Sequence, residues 1–363
     1  MSLAATVENT TRKDGPLSKR LLRAFTDEVT GEPGDRPPFW FLRQAGRYLP
    51  EYQRLRRGTP DFLTFCYTPE LCIEAALQPL RRYGMDASIL FSDILIIPDA
   101  LGRSVRFVEG QGPVLEPLRR GDEIPALDAG RLDERLAPVY AAVSGLAQAI
   151  PAETALIGFA GAPWTLALYM IEGQGGTGGE RARAWAWLEP ASFARLMAVL
   201  VDAVGHCLCR QIDHGAEVVQ LFDSWAGLLP ETQFRDLVIA PTAAIVARLK
   251  AHAPEVPVIG FPRACGILYE EYARRTGVDA VGLDAGVPAE WAARVLKPGC
   301  TLQGNLDNQL AVAGGAALEA ETRRILRTLG PGRFIFNLGH GVLPDTPPEH
   351  MERIAELVRT ASP

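Results

Sequence analysis

Short runs of β-branched, aromatic and aliphatic residues alternate with longer stretches of helical period along most of the chain. The short runs fall at Pro38–Leu42, Ala87–Phe91, Ala155–Phe159, Glu217–Phe222, Pro257–Phe261, Ala280–Leu283, Thr301–Gln303 and Arg333–Asn337. Helix-period segments lie between most of them, at Glu70–Tyr83, Phe193–His214, Thr232–Ala251, Tyr269–Thr276 and Ala316–Thr328. Strands separated by helices run parallel, because a helical crossover returns the chain to the same end of the sheet. Eight such units without a dinucleotide fingerprint predict an α/β fold of the closed (β/α)8 TIM type rather than an open doubly wound sheet. No interdomain linker or internal repeat breaks the pattern, so residues 17–363 are expected to form one barrel domain behind a flexible polar arm, residues 1–16. A short helix is expected at about Leu17–Val29, and Arg103–Asp122 reads as a small hairpin outside the alternation.

A barrel of this kind places its chemistry just after the strands, at their carboxyl-terminal mouth. The polar residues there are Arg43, Asp93, Asp223, Ser224, Arg263, Asp284, Asn305, Asp307 and His340. Within FWFLRQAGRYLPEYQRLRR (39–57), Arg43 and Arg47 stand four apart around Ala45 and Gly46. A helical turn would put both guanidinium groups on one side, and the small residues would let a large ligand approach. Arginine suits carboxylates because its planar fork binds them bidentately. Arg54, Arg56 and Arg57 read instead as a solvated helix start beside Glu51.

Asp93 interrupts the apolar run ILFSDILIIPDALG (89–102), where a buried carboxylate requires a cationic or hydrogen-bonding partner. In IGFAGAPWTLALYMIEG (157–173), Gly158 and Gly161 suggest close approach of backbone and ligand, Trp164 suggests packing, and Tyr169 offers a phenol. The following QGGTGG lacks a Walker ending and reads as a loop. Ser224, in VVQLFDSWAG (218–227), has no nucleophile elbow and suits a hydrogen bond to substrate. His340, in FIFNLGHGVLPDTPPEH (334–350), is flanked by two glycines that would leave its ring accessible.

Net charge narrows the ligand. At −6, the protein as a whole does not attract polyanions, so an anionic substrate needs a local cationic site and nucleic acid is an improbable partner. The six cysteines form no CxxC pair, the N-terminus has no apolar signal core, and Asp93 and Asp99 interrupt the most apolar stretch, Ser88–Leu101. A cytoplasmic protein with reduced thiols and no membrane span is the expectation. His206, Cys207 and Cys209 are crowded on one helix, where neighbouring side chains diverge; core packing explains them better than zinc.

Five of these motifs, RQAGRYLPEY, FSDIL, GFAGAPWTLALYM, LFDSWAG and NLGHGVLPDTPPEH, together resemble the uroporphyrinogen decarboxylase family, and the likeness runs from about Leu17 to Val358. Leu42 departs from the family's usual Met, and FPRACG (261–266) matches no family motif and stays unassigned. The resemblance implies a (β/α)8 homodimer that uses no metal or organic cofactor. It implies removal of carbon dioxide from the four acetates of a porphyrinogen, giving coproporphyrinogen. It also implies substrate contacts at Arg43, Gln44, Ala45, Gly46, Arg47, Asp93, Tyr169, Ser224 and His340, with Asp93, Arg43 and Arg47 closest to the chemistry. Two other readings remain: a zinc- and corrinoid-dependent methyltransferase of the same superfamily, and a non-catalytic porphyrin-binding protein.

Overall fold

A computed structural model describes residues 19–26, 36–108, 110–119 and 121–361. Among these residues the strands are β1 (Ala87–Ile89), β2 (Val105–Val108), β3 (Gly112–Leu115), β4 (Ala155–Gly161), β5 (Val218–Asp223), β6 (Val258–Pro262), β7 (Ala280–Gly282), β8 (Thr301–Leu306) and β9 (Phe334–Leu338). Seven form one parallel sheet, β1-β4-β5-β6-β7-β8-β9, and β2 pairs with β3 in an antiparallel hairpin. The strands β4 to β9 are almost wholly buried on both faces. That is why they read as continuous apolar runs rather than as an alternation.

The fold is therefore mixed α/β, with a seven-stranded parallel sheet. The eighth strand expected at Pro38–Leu42 does not form; Phe39 makes an isolated parallel bridge to Phe336. Pro37 and Pro38 lack the N–H that a ladder needs, which keeps this segment out of a regular strand. The segment nonetheless bonds on both flanks. Phe336 N donates to Pro38 O at 2.8 Å and Trp40 N to Phe336 O at 3.3 Å, while Asp86 N donates to Phe39 O at 3.0 Å.

Crossover helices cover the outer face. The longest, Pro190–Asp213, is long and apolar enough to cross a membrane by length and composition, but 61% of that apolar window is buried inside the fold. Its Gln211 side chain pairs like a peptide group with Phe159, accepting its N–H at 2.8 Å and donating to its C=O at 2.9 Å. A Cβ at Gly158 would lie 2.5 Å from Gln211 Oε1, and one at Gly161 would lie 2.7 Å from Leu166 Cδ2. These two glycines clear protein side chains, not a ligand. The helix expected at Thr232–Ala251 is divided into Glu231–Phe234, a π-turn Arg235–Ile239, and Ala240–His252. At the N-terminus the described residues contain only a turn of helix, Arg20–Arg23; residues 1–18 and 27–35, which include the expected arm 1–16 and both ends of Leu17–Val29, lie outside them.

Polar side chains also enter the sheet's enclosed face. Trp40 Nε1 donates to Gln303 Oε1 at 2.9 Å, and Gln303 Nε2 to Gln220 Oε1 at 3.3 Å. This chain ties the Phe39 segment to β8 and β5. Truncating the fully buried Trp40 to Ala is expected to cost about 3–5 kcal/mol.

Candidate active site

Above the carboxyl ends of the strands, a cavity of about 170 Å³ is lined by Arg43, Gln44, Ala45, Asp93, Ser224 and His340. Its wall is apolar, with Phe91, Phe159, Phe222 and Phe261 among the lining residues. Phe159–Phe222 and Phe222–Phe261 meet edge to face at 5.6 and 6.1 Å. A wider space of about 820 Å³ adjoins it, sharing Arg43, Ala45 and Asp93 and adding Gly46, Arg47, Arg56 and Tyr169. The hairpin residues Phe107 and Val108 line its far side. All nine residues that the family resemblance implied as substrate contacts thus border one or both of these adjoining spaces, whereas Asp223, Arg263, Asp284, Asn305 and Asp307, also expected at the strand mouth, line neither.

The route by which Arg43 and Arg47 arrive there differs from the helical turn expected. Residues 43–49 form a loop, and helix begins only at Pro50. Arg43 has φ +56°, a left-handed conformation unusual for a side chain with a Cβ. Gln44 N donates to Phe41 O at 2.9 Å, closing the turn, and Val342 N donates to Leu42 O at 2.9 Å. The glycines around His340 have packing roles. A Cβ on Gly341 would fall 2.4 Å from Arg43 Cδ, and one on Gly339 would fall 2.3 Å from Ala285 N. Gly341 therefore leaves room for the Arg43 stem rather than for the His340 ring.

Asp93 follows β1 and accepts Leu95 N–H on Oδ1 at 2.8 Å. Burial pushes its carboxyl above the usual aspartate range; the Leu95 N–H and the Arg43 charge oppose this without cancelling it. Neither Arg43 nor Asp93 forms an ion pair among the described residues, so both are left to face the cavity. Burial also raises the Tyr169 phenol, and Asp93 adds to the effect. His340 is pushed down to about 4, by burial first and then by the Arg263 and Arg43 charges. Its imidazole is neutral at physiological pH, a hydrogen-bonding group rather than a cation. Gln44 is buried, and neither its Oε1 nor its Nε2 has a partner among the described residues.

Arg56 was read from sequence as a solvated residue, yet it lines the wider space, with Nη1 donating to Thr59 O at 2.8 Å. Tyr52, four residues earlier on the same helix, lines it too. An apolar aromatic one turn from an arginine was the signal available. Glu51, the expected partner of the arginines, pairs instead with Arg82. Trp164 packs in the core, as its sequence context suggested. Among the described residues, no group of three or more His, Cys, Asp or Glu side chains is arranged to hold a metal ion. His206 contacts Asp133 at 2.7 Å, whereas Cys207 and Cys209 are buried.

Comparison with known proteins gives a consistent result. The profile of the family described as uroporphyrinogen decarboxylase (URO-D) matches residues 17–361. A uroporphyrinogen decarboxylase from Rhodospirillum rubrum is 54% identical over 337 residues, covering 93% of this chain and 97% of that one. The Hyphomonas neptunium protein of the same name is 48% identical over 343 residues, covering 94% and 98%. Among solved structures, a methyltransferase from Methanosarcina mazei superposes with a TM-score of 0.76 at 17% identity, covering 93% of this chain and 97% of that one. At that identity the likeness concerns the fold alone. The chain belongs to the uroporphyrinogen decarboxylase family.

Proposed function

We propose that this protein decarboxylates the four acetate side chains of uroporphyrinogen III, giving coproporphyrinogen III and four molecules of carbon dioxide in tetrapyrrole biosynthesis. One observation carries the reading: a single carboxyl group set in an apolar wall, beside arginines that have no acidic partner among the described residues. A porphyrinogen has the complementary pattern, with pyrrole N–H groups at its centre and eight carboxylates at its edge.

The chemistry follows from that match. Protonation of a pyrrole ring carbon gives an iminium-like cation. The bond between the acetate CH2 and its carboxylate then breaks, and its electron pair forms an exocyclic double bond to the ring. Protonation of the CH2 and loss of the ring proton restore the pyrrole, so each acetate takes up one proton and becomes a methyl group. Asp93, ionised, accepts the pyrrole N–H groups and offsets the developing positive charge. Substrate assists the ionisation, because the incoming N–H donors supply the hydrogen bonds that the apolar wall withholds. Arg43, Arg47 and Arg56 clamp carboxylates, with Tyr169, Ser224 and neutral His340 as hydrogen-bonding groups and Gln44 to Gly46 as a close backbone surface. None of these steps calls on a metal or an organic cofactor.

We further read the Phe39 segment as the eighth stave of a closed barrel; its hydrogen bonds to both β9 and Asp86 support this. A homodimer and a cytoplasmic location complete the proposal, and sedimentation of the purified protein tests the dimer. Function is tested by anaerobic incubation with uroporphyrinogen, then oxidation and chromatography of the porphyrins. Stepwise appearance of products with seven down to four carboxylates is expected. Tight binding without carbon dioxide release would favour a carrier instead. The methyltransferase reading is not favoured, because the described residues offer no zinc donor set.

A further inference from the structure

The exit of β5 carries a carboxyl group to which the scheme above gives no task. Asp223, the last residue of β5, is only 2% exposed. Its Oδ1 lies 2.5 Å from Thr165 Oγ1, and its buried Oδ2 has no hydrogen-bonding partner among the described residues. Burying a carboxyl with one oxygen unpaired is costly, and an apolar residue of similar size would avoid that cost. What the group does for its neighbours is therefore the question.

Thr165 is itself fully buried, in the helix Pro163–Glu172, and accepts Trp225 N–H at 3.2 Å. The adjacent Trp164 donates its indole N–H to Trp225 O at 3.0 Å. Helix side chains thus hold both backbone groups of Trp225, and Ser224 sits between that anchored residue and Asp223. Tyr169 lies one helical turn beyond Thr165, and its ring meets the Trp225 ring edge to face at 6.4 Å. A hydroxyl that donates to a carboxyl oxygen has its lone pairs directed elsewhere, so Asp223 sets the orientation in which Thr165 receives Trp225.

We propose that Asp223 is a positioning residue: through Thr165 it locks the Ser224–Trp225 turn to the helix bearing Tyr169, so that the Ser224 and Tyr169 hydroxyls meet the substrate as one rigid pair. The proposal rests on the reading of the cavity as a porphyrinogen site. Asp223 touches no substrate and acts through its neighbours.

The test is a double-mutant cycle on kcat/KM for uroporphyrinogen. Asp223→Ala alone is expected to lose roughly 10- to 100-fold, as expected when a contact shifts by about 1 Å. In a Ser224→Ala background the same change is expected to lose less than threefold, because the group it positions is gone. Asp223→Asn, which keeps an oxygen for Thr165, is expected to restore most of the activity lost in the alanine variant. Thr165→Val, nearly isosteric and without the hydroxyl, provides the same cycle should Asp223→Ala fail to fold. Losses that multiply across either cycle, or an asparagine variant no better than alanine, would overturn the positioning role while leaving the site reading intact. A wild-type protein that releases no carbon dioxide would overturn both.

Discussion

Replacing Asp223 with Asn is expected to change how the stability of the fold depends on pH. Burial pushes the Asp223 carboxyl up to about 7, against 3.8 for an unperturbed aspartate, and the Thr165 hydrogen bond only partly opposes this. A carboxyl raised in the fold keeps its proton there after the unfolded chain has released its own. Between about pH 4 and 7 the native state therefore binds more protons, and stability falls as pH rises. At about 1.4 kcal/mol per pH unit the total is roughly 4 kcal/mol. Asparagine carries no titrating proton and lacks this slope. Urea unfolding of both proteins at pH 4.5, 6, 7 and 8 isolates the effect, because other titrating groups cancel in the difference. With a denaturant slope of about 3 kcal/mol/M, the variant's midpoint should gain on wild type by about 1 M across that range. A difference independent of pH would refute the reasoning, and a wild type that gains on the variant with rising pH would show an aspartate ionised in the fold.

The site yields four more expectations. Asp93→Asn should lower kcat by at least about a hundredfold while raising stability at pH 7, because it removes a carboxyl held above its usual range in an apolar wall; thermal melts beside turnover check both signs. The pH profile of kcat/KM should have an acid limb above the ordinary aspartate range and no imidazole step near 6.5, because His340 sits at about 4; a step near 6.5 that vanishes in His340→Gln would contradict this. Gly341→Ala should displace the Arg43 stem and lower kcat/KM about 10- to 100-fold with little change in melting temperature, whereas Arg56→Ala should chiefly raise KM, more at low salt than at high.

What could be read in the sequence was decided by how local its cause was. Strands β4 to β9 were legible within a few residues because burial on both faces leaves a continuous apolar run. The Phe39 segment has the same apolar character, but two prolines deny it the ladder donors and reduce it to a bridge. Arg43 and Asp93 announced themselves as charges beside apolar strands. The left-handed backbone of Arg43 did not, nor did the room its stem needs, which Gly341 leaves from about three hundred positions away in the sequence. The glycines at 158 and 161 were misread because their neighbours are set by packing: Gly158 clears Gln211 of the helix Pro190–Asp213, and Gly161 clears Leu166 of the helix Pro163–Glu172. Arg56 was missed because a run of arginines gives no sign of which one faces the cavity.

The tie between the Phe39 segment and β9 has a consequence for how this protein comes into being. Leu42 N donates to Asn337 Oδ1 across 295 residues, and Val342 N then bonds Leu42 O. Contacts so distant in the chain are slow to form, and on the ribosome their partners emerge at opposite ends of synthesis. The loop that presents Arg43 therefore waits, unbraced, until the last strand has been made. A nascent chain halted before residue 334 would already hold most of its sheet but no arginine clamp, and activity should appear only as the final residues are released.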